Sequence, residues 1–271
     1  MLSFEISQVQ IGPITILYWN TFLVTLLCLG SSTIVAIILT RLGYEYCALR
    51  RIPAMDVIDE SVRICAEKGR PFLFTTGNTG YSGAGSGIQM VEADVSMARY
   101  LTKRCAELGV RWIGTTQDPQ LYLLFYDFAR HGYLEAGHPE LFNERDIRHI
   151  VVGGSFNATY ENVDTIRNEK PAAFVGLGHF GAGTHVPYFQ EAVTQGAFVI
   201  GSSYWPDETA QAAMSSDYTL MGAEQTVCGA YVDNDPDKMS VFVGEDLAKI
   251  VLIAISIIMG ILWIGGIRLF V

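Results

Sequence analysis

No charged residue occurs between Glu5 and Arg41, and the stretch from Ile250 to Ile267 is again uncharged and almost wholly apolar. A helix needs about 20 apolar residues to cross roughly 30 Å of hydrocarbon, and each end of the chain supplies them. The expected spans run from Tyr18 to Leu39 and from Ile250 to Ile267. They divide the 271 residues into a short external tail (1–17), a transmembrane helix (18–41), a middle domain (42–248) and a second transmembrane helix with its own short tail (249–271). The charged fraction of 17%, low beside the ~25% of soluble domains, therefore has a location.

The flanks set an orientation. Arg41, Arg50, Arg51, Lys238 and Lys249 lie on the side of the middle domain, and only Arg268 lies on the other. The positive-inside rule then places the middle domain in the cytoplasm and both termini outside. A cleavable signal peptide is not expected, because the tail before the first span holds Glu5 and no Lys or Arg. Neither span carries an acidic residue, Lys or His in its core, which argues for anchoring and against a channel or pump. Ser32 and Ala36 in the first span, and Ser256 and Gly260 in the second, are spaced to let helices approach closely.

Between residues 52 and 246 the chain carries 13 positive and 26 negative charges, a net −13 against −10 for the whole. Counterion release from nucleic acid requires the opposite sign, so no nucleic-acid partner is expected. The five cysteines have no C-x-x-C spacing and an odd total, which signals neither zinc nor a disulfide framework. Asp233, Asp235 and Asp237 fail as a calcium loop, since Lys238 stands where its glycine is required. No metal site is expected.

Within the middle domain, short apolar runs alternate with helical patterns. Strands are expected at Pro71–Thr76, Val110–Gly114, His149–Val152, Ala172–Val175, Ala197–Ile200 and Tyr218–Met221, with two more near Tyr231 and Val241 around the Asp233–Asp237 turn. Helices are expected at Met55–Lys68, Met90–Leu108, Asp118 to about His131, Asn157–Asn168, Tyr188–Thr194 and Asp207–Ser215. Asp118-Pro119 is an N-cap followed by proline at the first helical position. This alternation predicts an α/β, Rossmann-like domain with a mainly parallel sheet, flanked by the two transmembrane helices.

Two glycine-rich segments follow predicted strands. The first contains Gly77, Gly80, Gly83, Gly85 and Gly87. The second, with Gly176, Gly178, His179, Gly181 and Gly183, satisfies G-x-G-x-x-G. Such glycines let backbone N–H groups approach a pyrophosphate. The match nevertheless falls in about the fourth βα turn instead of the first, and no acidic residue ends a following strand to hold a ribose. Tight turns and close packing are the competing explanation. Gly80-Tyr-Ser82-Gly-Ala84 narrowly misses G-x-S-x-G, and no G-x-x-x-x-G-K-[ST] motif is present. His179 and His185 sit near the second segment, Asp118 and Glu92 are expected to approach the same edge, and any two of these would make an acid–base pair, but no catalytic set is assigned.

The run from Arg51-Ile-Pro-Ala-Met55 to Glu67-Lys-Gly-Arg-Pro71, the Gly77–Gly87 segment and Val175–Gly183 together resemble a family of uncharacterised prokaryotic membrane proteins, defined by a domain of unknown function beside hydrophobic segments. The resemblance implies membrane attachment and brings no activity. The leading expectation is a non-catalytic scaffold, held in the bilayer and assembling with copies of itself or with a protein complex, with no cofactor. The alternative is a membrane-tethered sensor or enzyme that binds a nucleotide or dinucleotide through the two glycine-rich segments. An accessory role in transport comes third.

Overall fold

The computed structural model describes residues 8–11, 14–17, 19–42, 51–81, 87–150, 155–181 and 183–264, with side chains over 26–42, 51–81, 87–150, 158–181, 183–206 and 208–257. The chain forms two compact units, one of residues 50–234 and one of residues 1–49 with 235–271.

The first unit is an α/β domain on a six-stranded parallel sheet. Its strands are β3 (Phe72–Gly77), β4 (Trp112–Thr116), β5 (Ile147–His149), β6 (Ala173–His179), β7 (Phe198–Ser203) and β8 (Tyr218–Met221), in the spatial order β5-β4-β3-β6-β7-β8. Counted from the first strand of the sheet, that is 3-2-1-4-5-6, the order of dinucleotide-binding sheets. The four central strands, β4, β3, β6 and β7, are short buried runs because both their faces are covered, whereas the edge strands β5 and β8 are partly exposed. On one face lie α3 (Ile58–Lys68), α4 (Ile88–Glu107), α5 (Pro119–Glu135) and α9 (Ala223–Asp233), packing Val62, Met97, Leu101, Phe125 and Cys228 against Phe72, Phe74, Val175 and Ile200. On the other lie α6 (Ser155–Glu169), α7 (Val186–Thr194) and α8 (Pro206–Met214), packing Ile166, Phe189 and Ala212 against Leu73, Phe174 and Val199. Each such large apolar side chain contributes about 2 kcal/mol when fully buried.

Local chemistry explains most boundaries. Asp118 caps α5, its Oδ1 accepting from the N–H groups of Gln120 and Leu121. The expected Met55–Lys68 helix is broken at Val57 into α2 (Pro53–Asp56) and α3. The strand expected at His149–Val152 runs over Ile147–His149, and residues 151–154 lie outside the described residues. Two expectations are corrected. Gly176, Gly178 and His179 lie within β6, not in a loop after it. A Cβ at Gly176 would stand 2.6 Å from the Phe189 ring, and one at Gly201 equally close, so these glycines admit that ring against the sheet. The strands expected near Tyr231 and Val241 belong instead to α9 and to α10 (Pro236–Ile264). The acidic turn is real, but it joins helices. Asn234, at φ +49°, ends α9, while the Asp235 carboxylate accepts the Asp237 N–H at 2.9 Å beside Pro236.

The second unit pairs α1 (Trp19–Arg41) with α10, and the tail expected at 1–17 contains an antiparallel hairpin, β1 (Gln8–Ile11) with β2 (Ile14–Leu17). Thr33 faces Gly244, and Arg41 is bonded to Asp237 at 2.9 Å, so the helices run antiparallel. Ser32 and Ala36 are buried, but the small residue of α10 that approaches Ser32 is Gly244, with Ser240 and Ala248 buried one turn to either side of it. Ser256 is exposed, and the Gly260 environment lies outside the residues described with side chains. This register sets Glu245, Asp246 and Lys249, which pair with one another, level with the middle of α1. Among the described residues, no helix is long and apolar enough to cross a membrane.

Candidate functional site

All six strands point the same way, so their carboxyl ends share one edge of the sheet. The strand order reverses between β3 and β6, the position where open α/β sheets bind ligands. Both glycine-rich segments arrive there. β3 ends at Gly77, whose φ of +54° turns the chain left-handed, and the Thr79 N–H closes the turn on Thr76 O at 3.0 Å. The Asn78 N–H donates to His179 O at 2.7 Å, and the His179 N–H donates to Thr79 Oγ1 at 2.7 Å. Gly178 makes this clasp possible. At φ +114°, any Cβ it carried would stand 2.2 Å from Thr76 O.

The loop after β4 joins the same network. Thr76 donates to Thr116 at 3.0 Å, Gln117 bonds Asn78, and Gly80 lies so close to Asp118 that a Cβ would come within 2.4 Å of its carboxylate. Beyond Gly80, Gly83 and Gly85 lie outside the described residues. The segment ends at Gly87, the N-cap of α4, which offers no side-chain cap and has open space where a Cβ would be. Gly181 accepts the Thr184 N–H at 3.2 Å in the turn after β6. Gly183, at φ +75°, packs against Gln211.

Buried polar groups without hydrogen-bond partners concentrate at this edge. Among the described residues they belong to Asp94, His179, His185, Ser202 and Gln225, all near the carboxyl ends of β3, β6, β7 or β8, with Trp112 at the start of β4 as the exception. Asp94 on α4 is fully buried near the Thr79 hydroxyl, and burial raises its carboxyl well above the usual range despite that hydroxyl. Burial likewise lowers His185 to about 4. The amino edge is better satisfied. There Arg70 donates to the carbonyls of Lys170, Pro171 and Gln195, while Tyr133 joins Trp112 N and Val110 O.

Past His179 the site extends over β7. Glu208, in the first turn of α8, is buried, and its Oε2 accepts from Ser203 Oγ at 3.1 Å and lies 3.9 Å from His179 Nδ1. The serine donates to the carboxylate and not to the histidine, so the Ser-His-acid order of a triad is not formed here. Ser82 lies outside the described residues, and Glu92 is exposed on α4. Asp118 is committed to its cap and to the Gly80 turn. No group of three or more His, Cys, Asp or Glu among the described residues is arranged to hold a metal. Cys65, Cys105 and Cys228 are buried free thiols, each pushed up by burial, Cys65 to about 12.

The fold thus joins Gly77, Gly80, Gly178 and His179, and assigns Gly176 to packing. Sequence reasoning missed Thr79, Asp94 and Glu208. Asp94 carried a signal, for it sits three residues after Val91 and four before Ala98 on the apolar stripe of α4.

A family model described as a domain of unknown function, DUF6754, matches residues 15–269. No curated protein and no solved structure matches the chain.

Proposed function

The chain belongs to the DUF6754 family, a family without an assigned function, and we propose from the geometry that it is a membrane-tethered α/β domain binding a nucleotide or dinucleotide in the crevice between β3 and β6. One observation carries this reading. Two glycine-bearing segments about 100 residues apart converge on the strand-order reversal, clasped through the backbone of His179 and the Thr79 hydroxyl. With β3 the first strand of the sheet, the Gly77–Gly87 segment occupies the first βα turn, where a phosphate-binding turn belongs. The uncapped N-terminus of α4 at Gly87 presents N–H groups and the positive end of a helix dipole. Isothermal titration of the detergent-solubilised chain with ATP, NAD and inorganic pyrophosphate tests it; saturable heat is expected, and no heat with any of the three contradicts it.

The tether rests on α1 and α10 and on the basic flanks read from the sequence. Leu26, Leu27, Ile250, Ile253 and Ile257 are exposed on the helix pair, as lipid-facing residues are. On this reading the middle domain is cytoplasmic. A second reading, assembly of several copies as a scaffold, has its own support. Ile34, Val35 and Ile38 are exposed on α1, and Glu245, Asp246 and Lys249 lie level with the middle of that helix, where charges disfavour hydrocarbon. A second copy of the helix pair would cover them.

A further inference from the structure

The crevice leaves two features beside it unused: exposed aromatic surface and a buried carboxylate. After β7 the chain runs Ser203-Tyr204-Trp205-Pro206 into α8. Tyr204 and Trp205 are 44% and 42% exposed, their rings 5.9 Å apart and perpendicular. The His179 ring meets Trp205 edge-on at 6.1 Å. Glu208, only 2% exposed, has its Oε2 accepting from Ser203 Oγ at 3.1 Å and standing 3.9 Å from a His179 Nδ1 that makes no hydrogen bond. His179 therefore connects the two places, with its backbone clasped to the β3 turn and its ring turned toward Trp205 and Glu208.

We propose that Trp205, Tyr204, His179 and Glu208 form a base-binding subsite, in which Trp205 stacks on a nucleobase and the Glu208 carboxylate and His179 Nδ1 meet its amino-bearing edge. The inference rests on nucleotide occupancy of the crevice and names where the base goes. β3 and β7 flank β6, so their ends stand two strand spacings apart, about 10 Å, a distance a nucleotide covers between phosphate and base. A π face accepts any base, whereas the unpartnered His179 Nδ1 beside Glu208 rewards a ring N–H or amino donor, because leaving a buried polar atom unmatched is costly.

The test uses the detergent-solubilised full chain with AMP, GMP, CMP and inorganic pyrophosphate as probes, read by tryptophan fluorescence and calorimetry. A mononucleotide should quench fluorescence saturably. Trp205→Leu should remove the quench and weaken mononucleotide binding about ten-fold or more, leave pyrophosphate binding and thermal stability unchanged, and be partly rescued by Trp205→Phe. If Trp205→Leu leaves mononucleotide affinity intact while Gly87→Thr abolishes it, the subsite is wrong and the crevice stands. Quenching by a neutral sugar such as glucose, with none by mononucleotides, also overturns the base assignment. If neither mononucleotides nor pyrophosphate bind, both readings fall.

Discussion

Gly178 and Gly87 are both glycines of the crevice, yet their surroundings predict opposite behaviour. Gly178→Ala would force an L residue to φ +114° with its Cβ on Thr76 O, and should cost roughly 1–3 kcal/mol in denaturant unfolding. Gly87 has an ordinary φ of −69° and open space around it, and threonine caps helices about as well as glycine. Gly87→Thr should therefore change stability by less than about 0.5 kcal/mol. Asp94 and His185 give opposite pH signatures. The Asp94 carboxyl is raised in the folded state, so its contribution is intact below about pH 4, its unfolded value, and declines as pH rises toward the folded value. Asp94→Asn should accordingly raise the melting temperature at pH 7 and match the parent near pH 4. His185 is depressed to about 4, so its contribution is present above about pH 6.5 and lost as pH falls toward 4. His185→Leu should flatten the melting temperature across that window. An unchanged acid slope in His185→Leu would contradict the assignment.

Among the elements, the α1–α10 pair offers the sharpest packing test. A Cβ at Gly244 would lie 2.7 Å from the Thr33 backbone, and Gly244→Leu should lower the melting temperature of the solubilised protein, overpacking costing about 1–3 kcal/mol. Five strands of the sheet are legible in the sequence because each is a short, mostly apolar run bounded by helix signals, whereas Ile147-Arg-His149 is not apolar, and the expected strand overlaps it only at His149. Their neighbours are not. Nothing local in Ala173–His179 says that it lies beside Phe72–Gly77, and that adjacency turns two separate glycine segments into one site. Gly176 looked like a loop residue because G-x-G-x-x-G does not record whether a glycine frees the backbone or makes room for a ring such as Phe189. Tyr231 and Val241 are misplaced in strands by the sequence because the Asp233–Asp237 turn is equally compatible with strands or helices on its flanks, and it joins α9 to α10. Asp118 was read correctly as a cap, while its closeness to Gly80 required the fold.

At the scale of the whole molecule, the low charged fraction divides between an acidic α/β domain and an apolar helix pair, and the staggered register of that pair has a consequence for assembly. If several copies associate, Val35→Cys, on the exposed face of α1, should crosslink to its counterpart in the purified protein under mild oxidation, whereas Ala36→Cys, buried in the helix pair, should not. Equal, concentration-independent failure of both would argue against the scaffold reading and leave ligand binding untouched. On the proposed function, the carboxyl edge between β3 and β6 holds a phosphate-bearing ligand at the start of α4. Isothermal titrations of the parent chain and of Gly87→Thr with ATP, NAD and pyrophosphate test this. Saturable heat is expected for the parent, and its loss in a variant of unchanged melting temperature. Undiminished binding by Gly87→Thr would contradict it.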